Sequence, residues 1–179
     1  MAYMGSQEGH YLILRNLTAS ELEAKWPKLR SGNYAVRSRA TGRYNCMAFA
    51  NGDDRHWWQA GLHGGRHYWP PKTSDTLPGW VDLFIKQGYE LTDSRQIEAG
   101  FEKIAIYVDL VDMLPGHVAK SDGSVWKSKL GRIQDIEHAS LDLLEGDKHW
   151  EYGIVERILR RPIKRVAKRK ATRKRKVAS

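Results

Sequence analysis

Cysteine occurs once in the 179 residues, at Cys46. A single thiol cannot close an intrachain disulfide, and it excludes any zinc site built on two or more thiolates. The expected compartment is a reducing cytoplasm. No apolar stretch approaches the roughly 18 residues that a membrane-spanning helix needs, so no span is expected. The opening residues, MAYMGSQEGHYLILRNL, lack a charged start, a long apolar middle and a small-residue cleavage site, and no secretory signal is predicted there. The pattern G-x-x-x-x-G-K-[ST] is missing, as are G-x-G-x-x-G after a strand and a G-x-S-x-G elbow. Nucleotide binding and serine-elbow chemistry therefore lack support, and no cofactor is expected. No internal repeat with a period of about 20–50 residues is visible, which argues against a solenoid or propeller.

Positive charge is in excess, and it is concentrated at one end. Lys and Arg number 30 against 21 Asp and Glu, for a net charge of +9. Eleven of these bases (Arg160, Arg161, Lys164, Arg165, Lys168, Arg169, Lys170, Arg173, Lys174, Arg175 and Lys176) fall in the last 20 residues, where there is no acid. The preceding 159 residues sum to −2. A run this basic repels itself and has little to bury, so disorder is predicted after about Pro162. The expected organisation is one α+β domain over residues 1–161 and a basic tail over 162–179. The tail reads either as a polyanion-binding arm, for nucleic acid or an acidic partner, or as a solubilising segment that recognises nothing. It has no aromatic residue, so bases cannot stack on it.

Periodicity and punctuation outline the domain. Tyr11–Leu17 is a short apolar run, either a strand or a helix start. Ser20 and Glu23 have capping-box spacing ahead of a short helix that Pro27 interrupts. Ser31-Gly-Asn33 marks a turn. Cys46–Ala50 reads as a helix start, and Asn51-Gly52 as its C-cap. From His56 to Gly79 the chain is dense in Trp, His, Gly and Pro, which predicts an ordered irregular loop. Trp80, Leu83 and Phe84 are helically spaced and Gly88 stops the run. Glu102–Asp109 reads as a buried strand. His117–Lys120 and Ser124–Ser128 form a predicted hairpin with Asp122-Gly123 in the turn. Ile136–Leu144 reads as a short helical stretch, and Tyr152–Leu159 as a final strand or helix. Helices first and sequential strands later predict an antiparallel sheet.

Cys46 is the leading chemical candidate. A thiol at a helix N-terminus feels the positive end of the helix dipole, which favours thiolate. It needs a base to act as a nucleophile, and His117 is the natural one. The alternative is a small buried hydrophobe. His56, His63 and His67 lie near Asp53 and Asp54 in a metal-like grouping. However, Gly64-Gly65 breaks any helix that would align them, and packed loop residues are the better reading, so no metal is expected.

The segments Asn45-Cys46-Met-Ala-Phe-Ala50, Gly52-Asp53, Trp57-Trp58, Tyr68-Trp69-Pro70 and Glu102–Tyr107 form one family-like pattern together with later segments. Those are His117-Val-Ala, Asp122-Gly123, Trp126–Gly131, Asp135–His138, Tyr152-Gly153 and Arg161-Pro162. Over about Leu29 to Pro162 the chain resembles a group of small bacterial proteins sharing a domain of unknown function. That group is similar to the papain-like NlpC/P60 and CHAP amidohydrolases. The resemblance implies a papain-like α+β fold and a Cys-His hydrolase or acyltransferase acting on peptide, isopeptide or amide bonds. Cys46 would be the nucleophile and His117 the base, with Asp135 or Ser128 orienting the imidazole. Asn45 and Tyr44 would lie near the oxyanion, and Trp57 and Trp126 would wall the substrate cleft. Neither Asp135 nor Ser128 is an Asn or His of the usual kind. A catalytically inactive papain-like module that docks through its basic tail is therefore the second reading.

Overall fold

The computed structural model describes residues 14–147 and 151–164. Helix α1 (Ala19–Lys25) starts two residues earlier than the Ser20–Glu23 spacing predicts. Thr18 is its N-cap, and a capping box joins Thr18 to Glu21. Arg15 also binds the Glu21 carboxylate, which favours this choice of box. Pro27 ends the helix as expected and opens a 3₁₀ turn, Pro27–Ser31. Strand β1 (Tyr34–Val36) follows, then α2 (Cys46–Ala50), β2 (Trp57–Trp58), β3 (His67–Tyr68) and α3 (Leu77–Lys86). The chain continues through β4 (Glu90–Leu91), β5 (Phe101–Val108), β6 (Pro115–Ser121), β7 (Trp126–Lys129), β8 (Asp135–His138) and β9 (Ile154–Pro162).

Seven strands form one sheet in the order β1-β8-β7-β6-β5-β9-β4, and every pairing within it is antiparallel. The chain is thus an α+β domain with an antiparallel sheet. Strand β5 is central because Ile-Ala-Ile-Tyr-Val is apolar on both faces, and both faces are covered. One face packs Tyr107, Ala119, Trp126 and Ile136 against Leu22, Trp26 and Leu29. The other packs Ile104, Ile106, Val118 and Leu159 against Met47 of α2 and against Trp80 and Phe84 of α3. Phe84 is 0% exposed, and burying a side chain of that size contributes about 1.5–3 kcal/mol.

Two expectations need correction. Residues 136–144 are not helical: Asp135–His138 is a strand clamped between β7 and β1, and only Leu141–Leu143 forms a 3₁₀ turn. The apolar spacing there was ambiguous, and pairing on both edges decided it. Helices also do not precede all strands, because β1 lies between α1 and α2 and closes the sheet edge against β8. The expected boundary at residue 161 falls inside β9, and Ile163 N–H still bonds the Gly100 carbonyl. Residues 165–179, including Arg165, Lys168, Arg169, Lys170, Arg173, Lys174, Arg175 and Lys176, lie outside the described residues, as do residues 11–13 of the Tyr11–Leu17 run, whose remaining residues 14–17 form neither strand nor helix. Among the described residues no helix is long and apolar enough to cross a membrane.

Candidate active site

Cys46 is the first residue of α2, and the helix starts there because Asn45 caps it. Asn45 Oδ1 accepts from Ala48 N–H at 3.1 Å. The same side chain donates to the Trp58 carbonyl at 2.6 Å and accepts from Trp58 N–H at 3.3 Å. Asn45 thus ties α2 to β2 through both ends of its amide. Helix α2 lies across the end of β6 and brings Cys46 Sγ to 3.9 Å from His117 Nδ1 and 4.0 Å from the Gly116 carbonyl. The sequence suggested this pair across 70 residues, and the fold brings it together.

Electrostatically the pair rests neutral. Burial pushes the Cys46 thiol above its ordinary value. The backbone N–H groups of Val118, Met47 and Cys46 and the positive Lys129 oppose this less strongly. The thiolate expected from the helix terminus is therefore not the resting form, because α2 has only five residues and desolvation outweighs its dipole. His117 stacks flat on Tyr152, with ring centroids 4.1 Å apart and planes 12° apart. Burial, and then the positive Lys25, hold its pKa down to about 4. A neutral imidazole beside a neutral thiol can accept the thiol proton but does not store an ion pair.

Neither expected orienting residue reaches His117. Strand β6 pairs with β7 as Ala119 to Ser128 and Ser121 to Trp126, so the same register carries His117 toward Leu130, beyond the predicted Trp126–Ser128. Ser128 Oγ is instead 2.9 Å from His138 Nε2, on the same face of the sheet as His117 but opposite Ala119. Asp135 Oδ2 accepts from Tyr44 O–H at 2.9 Å. Tyr44 is thereby turned into the core, where it stacks on Phe49, and it is not free to hold an oxyanion. Trp126 is 0% exposed and packs among the core residues of the far face, so it cannot wall a cleft beside Cys46. Trp57 does line such a cleft.

That cleft, of about 220 Å³, opens on Cys46 and is bounded by Trp57, Trp58, Trp69, Trp80, Asp75 and Gly116. His117 lines a different and smaller cleft, of about 130 Å³, with Lys25, Trp26, Arg132 and Tyr152. The sulfur and the imidazole therefore meet at a partition between two openings.

Sequence reasoning missed Lys129. Its side chain is 0% exposed, its ammonium donates to the Ile133 carbonyl and lies 3.7 Å from Asp135 Oδ1, and it faces the Tyr44 ring at 5.2 Å. It is the positive charge that acts on Cys46 from behind. On the hairpin it looks like any solvated lysine, and only the seating of α2 over β7 buries it. Among the described residues no group of three His, Cys, Asp or Glu is placed to hold a metal. His56 Nδ1 pairs with Asp53 Oδ2 at 2.8 Å instead, while His63 and His67 are exposed. Arg160 and Arg161 belong to β9 and are ion-paired, Arg160 with Glu90 and Glu98 and Arg161 with Glu102. Lys164 is exposed at the end of the described chain.

The chain belongs to a family of domains of unknown function, DUF7689, whose profile matches residues 35–160. No curated protein matches it, and no solved structure does. The family carries no assigned activity. None of these comparisons links the chain to the papain-like amidohydrolases.

Proposed function

We propose that this domain is a thiol-dependent hydrolase or acyltransferase of papain-like type, acting on a peptide, isopeptide or amide carbonyl. The observation that carries this reading is the 3.9 Å approach of Cys46 Sγ to His117 Nδ1 beside an aromatic cleft open to the sulfur. Cys46 would attack the carbonyl carbon as its proton passes to His117 Nδ1. The imidazolium would return that proton to the leaving amine, giving a thioester on Cys46. Water or an acceptor amine would then release the acyl group and regenerate the thiol. The backbone N–H groups of Cys46 and Met47, at the free end of α2, are the donors nearest the developing oxyanion. Lys129 favours the anionic sulfur while the proton is on His117.

The test uses a generic activated ester, p-nitrophenyl acetate, with intact-mass detection of acetyl-Cys46. Wild type is expected to acylate at Cys46 and turn over. His117→Ala should slow acylation by about 10²–10⁴-fold, the range for a positioned general base. Cys46→Ala and the double variant should be equally inert, because members of one catalytic unit are non-additive. The burial of Cys46, at 5% exposure, favours the second reading of an inactive binding module. A native Cys46 that stays unmodified, and labels only once the chain is unfolded, would establish that reading instead.

A further inference from the structure

The cleft in front of Cys46 has an unusual chemical make-up. Its walls include Trp57, Trp58, Trp69 and Trp80, and among its lining residues there is no Lys, Arg or His. Asp75 is its one carboxylate, and it is exposed. All four indole N–H groups are occupied within the protein. Trp57 donates to Gln59 Oε1 at 3.1 Å, Trp58 to Asp53 Oδ2 at 2.8 Å, Trp69 to the Thr73 carbonyl at 2.7 Å and Trp80 to Asp75 Oδ1 at 3.0 Å. The rings are thus locked in place, and what they offer a ligand is aromatic surface rather than a donor. Trp57, Trp58 and Trp69 remain partly exposed, so they are not merely core. Aromatic faces carry negative potential, and a carboxylate among them deepens it. One of these rings already attracts a cation: the Arg132 guanidinium, which belongs to the neighbouring His117 cleft, sits 5.3 Å from the Trp57 centroid.

We propose that this cleft binds an alkylammonium group, so that the substrate carries a protonated or methylated amine beside the carbonyl presented to Cys46. The inference rests on the thiol-dependent reading for the word substrate, but the binding itself needs no thiol chemistry. An ammonium would be held by the indole faces and by the Asp75 oxygen that is not bonded to Trp80, in a cleft with no Lys, Arg or His among its lining residues. Anionic substrates would be repelled by Asp75.

The experiment is a fluorescence and calorimetric titration of the full chain at constant ionic strength. It compares choline with its uncharged carbon isostere, 3,3-dimethylbutan-1-ol. Choline is expected to bind about tenfold more tightly or better, since a desolvated cation–π contact favours the cation by that order. Asp75→Asn keeps an acceptor for Trp80 Nε1. It should weaken choline about tenfold and leave the isostere unchanged, and Trp57→Ala should weaken both. Nα-acetyl-lysine methylamide and alanine methylamide then tell a side-chain amine from an α-amine. Equal affinity for choline and the isostere, no choline binding, or an unaffected Asp75→Asn variant would overturn the proposal. Repeating the titration in Cys46→Ala separates the two readings. Cation binding that persists in this variant while p-nitrophenyl acetate leaves wild-type Cys46 unmodified would refute the enzyme and retain the ammonium site.

Discussion

Removing Lys129 tests the electrostatics behind the thiol. Asp135 Oδ1 is buried and has no hydrogen-bond donor, and its nearest compensation is the Lys129 ammonium at 3.7 Å. Lys129→Met keeps the volume but strands that carboxylate and leaves the Ile133 carbonyl without its partner. Breaking one side of a buried ion pair costs about 3–5 kcal/mol, because the remaining charge is uncompensated. For a domain of this size that is a fall in Tm of about 6–20 °C. Lys129→Met combined with Asp135→Asn removes both charges and keeps a group to accept from Tyr44 O–H. It should recover most of the loss, giving a coupling energy of about 1–3 kcal/mol in the double-mutant cycle. Urea unfolding followed by tryptophan fluorescence measures all four proteins. A single variant within about 0.5 kcal/mol of wild type, or a double variant whose losses simply add, would refute the claim that the two buried charges depend on each other.

Burial holds His138, which is 1% exposed, to a pKa of about 4 against an ordinary 6.5. The unfolded chain takes up a proton as pH falls through about 6.5 and the folded chain does not until about 4. His138 therefore costs no stability above this window and lowers stability by about 3 kcal/mol across it. Urea midpoints at several pH values should fall less steeply between those limits in His138→Gln; an unchanged slope would contradict the assignment. Thr18→Ala should destabilise the fold by about 1 kcal/mol through loss of the α1 cap, whereas Ser20→Ala should leave the urea midpoint nearly unchanged. Truncation after Lys164 removes eight bases and spares β9. It should abolish binding to a fluorescent duplex, and the full chain should lose affinity with log salt at about 0.9 per phosphate contact. Duplex binding as tight without residues 165–179 would remove the tail from the function.

Local chemistry determined much of what the sequence made legible. Pro27, Gly52, Gly88 and Asp122-Gly123 impose backbone geometry on their own, so the helix ends and the hairpin turn could be read without knowing the fold. The apolar run Ile104–Val108 has no stable place except a covered strand. An asparagine ahead of Cys46 caps α2 through a contact three residues long. Cys46 and His117 were legible as a candidate pair, one at a helix start and one on a strand, but the burial in which they meet was not. Tertiary structure decided the rest, because it depended on which surfaces cover one another. The hairpin register moved Ser128 away from His117 and toward His138. The seating of α2 over β7 turned Lys129 from a surface lysine into a buried charge. The same seating desolvated the thiol, reversing the direction in which a helix terminus alone would shift it. Burial and charge proximity are properties of packed neighbours distant in sequence, and no spacing along the chain records them.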